Sequence, residues 1–263
     1  MRLQYPPEIK SEKEKLDYIV KNEQHIFDLA KTMYKEADSF GGSVLVMRDG
    51  IANKAFDTAT LLQRDSIKAR VAISSSNILD SHLDLHLPKM WDKSIKESGH
   101  RVLHLSMHSR TFKDIIAKGD DLRVFTETVT WKQLGFNIEG STELLSFDSN
   151  IKKSQNEEMF KEYAKGNVTE HSVGMMYVKM ITCINDEDYP VQKENWDKYA
   201  PMVHNKEALK TTNVFWAQQE AKVIEGSAVP LGSNPFTPTQ TIKNNVLGIE
   251  QAKAEALKQW LLG

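Results

Sequence analysis

The feature that most constrains the fold of this chain is a set of three segments, between residues 100 and 151, in which apolar and polar residues alternate. They read HRVLHLSMH, DLRVFTETVTW and STELLSFDSNI, and charged or glycine-containing turns separate them. A period of two is typical of β-strands with one buried face, and short turns favour antiparallel neighbours. Similar patterns predict further strands over 68–76, 172–184 and 214–231. We therefore expect an α+β fold built on a mainly antiparallel β-barrel surrounded by helices.

Helical spacing of apolar residues predicts a long helix near the N-terminus. Ser11 and Glu14 form a capping box at its start, and a Gly-Gly pair at 41–42 ends it. Pro235 and Pro238 argue against regular structure after the last strand. The expected organisation is an N-terminal helical extension at 1–42, a main domain at 43–240 with a first strand at 43–49, a helix at 156–166 and a helical insertion at 185–213, and a C-terminal linker and helix at 241–263.

Composition and charge exclude several classes of function. The chain has 34 basic and 36 acidic residues, and a net charge of -2 gives no overall attraction to nucleic acid or to an anionic membrane. A single cysteine, Cys183, excludes an intramolecular disulfide and a multi-cysteine metal site. The N-terminus has no apolar signal core, and no window approaches about 18 apolar residues. We expect a soluble intracellular protein that binds neither nucleic acid nor membrane.

The segment RVLHLSMHSR carries the first candidate functional residues. The spacing of a strand places His104, Ser106 and His108 on one face. One interpretation is a solvated outer face of the sheet. The other makes one of the two histidines a general base, because imidazole is the side chain whose ordinary pKa lies closest to neutral pH. The segment alone leaves both interpretations open.

Three residues far apart in the chain are of the types that form a nucleophilic triad. Ser172 begins a strand after a capped helix, His108 ends another strand, and Glu225 lies among apolar residues, where a carboxylate needs a partner. A serine hydroxyl becomes a nucleophile only if a nearby base removes its proton and a third group orients that base. Because triads are recognised by geometry, spacing alone does not show that the three residues converge.

Four segments, covering roughly residues 70 to 240, together resemble a known family. They read SSNILDSHLDLHLPKMW, LHLSMHSR, GNVTEHSVGMMYVKMITCINDEDY and VFWAQQEAKVIEGSAVPLGSNPFTPT, in that order. They look like the prohead maturation proteases of tailed bacteriophages, a family related in fold to the herpesvirus assemblins. The most specific pieces are the His-Ser-Val-Gly block and the Glu-Gly-Ser block that is followed by Gly-Ser-Asn-Pro.

The resemblance implies a serine endopeptidase in which Ser172 is the nucleophile, His108 the base and Glu225 the acid. It implies no cofactor, and its substrates are precursors of the scaffold and major capsid proteins, inside the assembling prohead in the host cytoplasm. Contact with the portal and homo-oligomerisation stay open. One departure concerns a loop that in the family often reads Asp-x-His-Gly-Asp before a Pro-Gly turn. The corresponding run here, DSHLDLHLPKM, contains no glycine.

Two alternatives compete with this assignment. His82, Asp84 and His86 would share one face of any strand, a spacing that could chelate a divalent metal; the simpler interpretation is a polar strand edge. The chain could also be a noncatalytic capsid-assembly or scaffolding protein that retains the protease fold. Its N-terminal helix and the C-terminal helix that carries Trp260 would then dock into a protein shell.

The remaining polar candidates have narrower interpretations. On a strand, His171 would face away from Ser172, so we expect it to be structural. Cys183 lies in an apolar run and is expected to be an inert core residue. A protease also needs donors for the oxyanion that forms during attack. Backbone amides near Ser172 and Gly174, or the side chain of Arg110, are candidates between which the sequence does not discriminate.

Overall fold

The structure is a computed structural model that describes residues 3–32, 34–35 and 58–244. The predicted strand at 43–49, the Gly-Gly end of the N-terminal helix and the C-terminal helix lie outside the described residues. In chain order, the helices and strands are α1 (Glu12–Lys21), α2 (Glu23–Thr32), β1 (Tyr34–Lys35), α3 (Thr58–Leu62), β2 (Ser66–Ser75), β3 (Asp84–His86), α4 (Asp92–Ser98), β4 (Leu103–Ser106), β5 (Ile115–Lys118), β6 (Leu122–Thr130), β7 (Ser141–Lys152), α5 (Glu157–Lys165), β8 (Glu170–Ile184), α6 (Pro190–Tyr199), β9 (Val214–Val229) and β10 (Thr239–Asn244). None of these helices is long and apolar enough to cross a membrane.

The strands form two open sheets instead of the predicted barrel. One sheet has the order β1, β8, β9, β4, β5, with β3 also beside β9, and the other has the order β10, β2, β7, β6. A bridge between Glu170 and Pro238 joins the sheets at one corner, but β5 and β6 do not pair with each other in the described part of the chain. The α+β class is confirmed and the closed barrel is wrong. Alternation identifies the buried face of a strand, whereas closure depends on strand tilt and stagger.

Most strand pairs are antiparallel, as predicted, but β3 and β4 run parallel to β9. The long strands β8 and β9 form the centre of the first sheet, and one face of that sheet packs on the second sheet. At Gly226 the packing leaves no room for a side chain, because a Cβ atom would lie 2.6 Å from Phe147 Cε2 and 2.7 Å from Ile73 Cδ1. The even-numbered residues of β9 around this position therefore face the core between the sheets.

The N-terminal segment forms two helices instead of the single helix predicted. The capping box of Ser11 and Glu14 is present as expected. The helix is interrupted at Asn22, whose side-chain Nδ2 donates to the Tyr18 carbonyl at 2.8 Å and satisfies the end of α1. Local side-chain bonding of this kind competes with helix propagation. Buried residues of both helices, among them Ile19 and Ala30, belong to the main core cluster.

The end of the described chain also differs from the prediction. Residues Thr239–Asn244 form β10, which pairs antiparallel with β2, so residues 241–244 are part of a sheet and not of a linker. Pro238 lies just before the strand, where the missing N–H of a proline is tolerated. The predicted insertion at 185–213 does contain a helix, α6, whose Trp196 packs against Phe215 of β9.

Helix α5 delivers the chain to the strand that carries Ser172. The Asn156 side chain accepts a hydrogen bond from the Met159 N–H at the start of the helix, and Gly166 ends it in the left-handed conformation. Phe160 and Tyr163 bury the inner face of α5 in the core. Both ends of the helix are therefore defined by the sequence, and the entry into β8 is defined with them.

Candidate active site

Strand β9 lies between the two strands that carry the other triad candidates. On one side, β8 pairs with it antiparallel and places Ser172 opposite Ser227. On the other side, β4 pairs with it parallel and ends beside Ala228, just before His108. Glu225 and Ser227 are two residues apart on β9, so their side chains point to the same face of the sheet. That face is opposite to the one on which Gly226 meets the second sheet.

His108 lies in a strained turn at the end of β4. Met107 and His108 have φ angles of 55° and 57°, and the Ser109 N–H donates to the Ser106 carbonyl at 3.0 Å. Two central residues with positive φ are the pattern of a type I′ turn. Non-glycine residues in this region each cost about 1–3 kcal/mol and persist where the surroundings hold them. The Met107 N–H donates to the Ala228 carbonyl at 3.0 Å, which anchors the turn to β9.

The turn changes the side of the sheet on which His108 lies. His104 pairs with Gly226 and its Nδ1 lies 2.8 Å from Ser149 Oγ of the second sheet, so its ring faces the core. His108 contacts Glu225 on the opposite face. The prediction that His104 and His108 share one face is therefore wrong, because the two-residue period of β4 ends at Ser106.

His108 and Glu225 form a buried acid–base pair. Glu225 Oε1 lies 2.6 Å from His108 Nδ1, and the two side chains are 1% and 6% exposed. Because an ionised carboxylate can only accept, Nδ1 carries the proton and donates it to Glu225. This tautomer leaves the lone pair on Nε2, which has no hydrogen-bond partner among the described residues. The imidazole is therefore arranged to accept a proton at Nε2.

Ser172 lies next to this pair without bonding to it. It is buried, and its side chain points to the same face as Ser227, because residues directly opposite in an antiparallel pair share a face. The structure has no hydrogen bond between the Ser172 hydroxyl and His108 Nε2. Such bonds are often long or misaligned in free enzymes and shorten when substrate binds. The structure thus brings His108 and Glu225 together and places Ser172 on the adjacent strand.

The directions of the backbone N–H groups of β8 show which of them could serve as the predicted oxyanion donors. The His171 N–H donates to the Thr237 carbonyl, away from β9. Because successive amides of a strand point to opposite edges, the N–H groups of Ser172 and Gly174 point towards β9 and belong to its ladder. We conclude that these two amides are poor oxyanion donors. Arg110, which is exposed and follows the His108 turn, remains a candidate.

Residues 82–86, whose spacing left a metal site open as an alternative, instead form hydrogen bonds with neighbouring side chains. Asp84 accepts from the Tyr177 hydroxyl at 2.6 Å and from Gln218 Nε2 at 2.9 Å. His86 Nδ1 lies 2.7 Å from Ser74 Oγ. Across the described residues, no three His, Cys, Asp or Glu side chains are grouped so that they could hold a metal ion. In this part of the chain His82, Asp84 and His86 are therefore not grouped as metal ligands, and because all three are buried they do not form a polar strand edge.

The loop that lacks the glycines of the resembled family still adopts a glycine-like backbone. Leu83 and Lys89 have φ angles of 62° and 69°. These are the positions at which the family pattern has glycine, in Asp-x-His-Gly-Asp and in the Pro-Gly turn. Asp80 Oδ1 supports the first turn by accepting the N–H groups of His82 and Asp84 at 2.8 and 3.0 Å. The loop therefore has two non-glycine residues with a left-handed backbone, at a cost in backbone strain.

A buried hydrogen-bonded chain that the sequence did not suggest joins Tyr163 to His104 and to His171 of β8. The Tyr163 hydroxyl lies 3.1 Å from His104 Nε2 and 2.9 Å from His171 Nε2, and His171 Nδ1 donates to the Thr237 carbonyl at 3.1 Å. Burial lowers the pKa of His171 to about 4 and lowers the pKa of His104 well below its ordinary value. Both imidazoles are neutral near pH 7. The structural interpretation of His171 agrees with these contacts.

Cys183 is also a core residue. It is buried on β8 at the far end from Ser172, and burial raises the pKa of its thiol to about 12. The thiol is protonated at neutral pH and is therefore a poor nucleophile. This agrees with the prediction of an inert cysteine.

Three exposed apolar side chains lie close in sequence to the ends of β4, which leads into His108, and β9, which carries Glu225. Met107, Phe112 and Leu231 are 53%, 85% and 45% exposed, and they are three of the five large apolar residues so exposed in the described chain. Met107 precedes His108, and Leu231 follows the end of β9 by two residues. Clusters of exposed apolar side chains beside a site are typical of surfaces that bind a partner.

Comparison with known proteins leaves this geometry as the main source of inference. No family model matches the chain, and no curated protein or solved structure matches it significantly.

Proposed function

We propose that this protein is a serine endopeptidase that cleaves scaffold and capsid-precursor proteins during prohead maturation of a tailed bacteriophage. The observation that carries the proposal is the buried His108–Glu225 pair, with His108 Nε2 unbonded and Ser172 on the adjacent strand and the same face. A carboxylate, an imidazole in the Nδ1–H tautomer and a serine hydroxyl are the groups that acyl transfer requires.

In the proposed reaction the Ser172 side chain turns towards His108 when a peptide binds. His108 Nε2 takes the hydroxyl proton as the Ser172 oxygen bonds to the peptide carbonyl carbon. The carbon–nitrogen bond then breaks, and His108 gives the proton to the leaving amine. Water then attacks the acyl carbon while His108 takes its proton, the ester bond to Ser172 breaks, and His108 returns the proton to the Ser172 oxygen. Glu225 holds the imidazole in the correct tautomer and stabilises it while it is charged.

The substrate class rests on the resemblance and on the surroundings of the site. The exposed side chains of Met107, Phe112 and Leu231 suit apolar residues of a substrate next to the scissile bond. Scaffold and major capsid precursors inside a prohead, in the host cytoplasm, are the substrates that the resemblance implies. Activity controlled by assembly would protect these precursors from early cleavage. The portal and a second copy of the chain stay open as partners.

The test is cleavage of purified scaffold and major capsid precursors, followed on a gel and by mass spectrometry. We expect Ser172→Ala and His108→Ala to lower the cleavage rate by about 10⁴-fold or more. Ser146→Ala is the matched control, because Ser146 is an equally buried serine on β7 of the second sheet. A fluorophosphonate probe should label Ser172 in the wild type and label nothing in Ser172→Ala.

Two outcomes would contradict the proposal. Equal fragment yields from the wild type and Ser172→Ala would remove this serine from the mechanism. Absence of both cleavage and probe labelling in assembled as well as free protein would favour the alternative, a noncatalytic capsid-assembly protein that retains the protease fold.

A further inference from the structure

The hydroxyl of Ser227 connects the acid and the base of the candidate triad. Its Oγ accepts a hydrogen bond from the backbone N–H of His108 at 3.0 Å and donates to Glu225 Oε2 at 2.6 Å. Ser227 is fully buried. One small side chain thus contacts the main chain of the base and the second carboxylate oxygen of the acid, on the strand between Ser172 and His108.

These contacts exclude a role for Ser227 as the nucleophile. Its proton is already donated to Glu225, and one of its lone pairs accepts the His108 N–H. To attack a peptide carbonyl, this hydroxyl would have to give up both of these hydrogen bonds. Ser172 has no such commitments to the acid or the base. The two serines opposite each other on β8 and β9 therefore differ in role.

The two hydrogen bonds of Ser227 act on different degrees of freedom of the site. The bond to Glu225 Oε2 fixes the rotation of the carboxylate, which aims Oε1 at His108 Nδ1. The bond from the His108 N–H holds the left-handed residue at the centre of its turn. A strained backbone persists only where neighbouring groups over-determine it. Without Ser227, both the carboxylate and the turn would lose a restraint.

We infer that Ser227 is a positioning residue, which locks Glu225 and His108 into the geometry in which Nε2 can take a proton from Ser172. The inference rests on the proposed proteolytic function. It extends that function by a fourth residue, which touches neither substrate nor reacting atoms and acts through its two neighbours. Small misplacements of catalytic groups reduce rates by about 10²-fold.

The kinetic test compares Ser227→Ala with the wild type and with Ser146→Ala. We expect Ser227→Ala to lower kcat about 10–100-fold with KM changed less than about twofold. Ser146→Ala should keep both constants. Ser227→Thr retains the hydroxyl and should recover most of kcat. If lost stability alone caused the effect, kcat would fall to the same extent in Ser227→Ala and Ser146→Ala, and Ser227→Thr would not restore it.

A spectroscopic test does not depend on proteolysis. In ¹⁵N-histidine NMR spectra near neutral pH, the wild type should show His108 protonated at Nδ1, with a strongly downfield Nδ1 proton. Ser227→Ala should shift this signal upfield or broaden it. If the wild type cleaves nothing, the proposed function fails, while the NMR comparison still decides whether Ser227 positions His108.

The overturning result is a folded Ser227→Ala protein with wild-type kcat and an unchanged His108 signal. If Ser227→Ala does not fold, Ser227→Cys decides, because its thiol is close in size to the hydroxyl and is a much weaker hydrogen-bond partner. We then expect a lower kcat and a shifted His108 signal in the cysteine variant. Wild-type values for both would overturn the inference.

Discussion

Acidification should destabilise this protein through two buried histidines, His104 and His171. Burial lowers the pKa of His171 to about 4, whereas an unfolded histidine has a pKa of about 6.5. Between these values the unfolded chain binds a proton at this residue and the folded chain does not. The free energy of unfolding therefore rises with pH across this window and is lost as the pH falls.

The size of the effect follows from the two pKa values of His171. Near pH 5, the unfolded and folded states differ by nearly one proton, so stability falls by about 1 kcal/mol per pH unit. From pH 7 to pH 4.5 the loss through His171 alone is about 2 kcal/mol. His104 adds to the loss in the same direction, because burial also lowers its pKa. This is a large part of the 5–15 kcal/mol that stabilises a typical domain.

The assay is urea unfolding at half-unit pH steps between 5 and 7, followed by tryptophan fluorescence. His171→Gln removes the titration and should flatten the slope of unfolding free energy against pH by about 1 kcal/mol per unit. His25→Gln is the matched control, since His25 is an exposed histidine on α2 and should leave the slope unchanged. Identical slopes for the wild type and His171→Gln would refute the reasoning.

Three further substitutions test other parts of the structure. Lys89→Gly should raise the free energy of unfolding by about 1 kcal/mol and the melting temperature by about 2–4 °C, because Lys89 is exposed and has a left-handed backbone. An unchanged melting temperature in calorimetry would contradict this. Glu225→Gln should lower kcat about 10²–10⁴-fold while the protein stays folded by circular dichroism. Phe112→Ser should raise KM about tenfold with kcat unchanged, and Val191→Ser, an exposed apolar control on α6, should change neither.

Local patterns in the sequence predicted most of the strands. The alternating segments correspond to β6 and β7, and the capped helix before Ser172 ends at its glycine as expected. These features depend on the period of burial and on the conformational preferences of single residues, which a local segment contains. The same information placed Ser172 at the start of β8 and Glu225 within β9.

Features that depend on distant contacts could not be predicted in this way. The end of β4 at Ser106 is not marked by glycine, proline, asparagine or aspartate, and the Met107–His108 turn is held by β9. The role of Ser227 required knowing that β4 and β8 flank β9. One signal was present: Glu225 and Ser227 are two apart in an apolar strand, and hence on one face. The division into two open sheets was missed for the same reason, since the pairing of edge strands is not a local property.

At several non-glycine residues the fold imposes a left-handed backbone that their side chains disfavour. Two of these residues, Lys89 and His108, have different explanations. At Lys89 the side chain is exposed, so a glycine would serve the same turn with less strain. At His108 a glycine would relieve the strain and remove the imidazole. Ser227 holds the turn that contains His108, and the conformation of this turn directs His108 Nδ1 towards Glu225. Strain at His108, whose side chain the proposed reaction requires and whose backbone Ser227 restrains, therefore agrees with the proposed function.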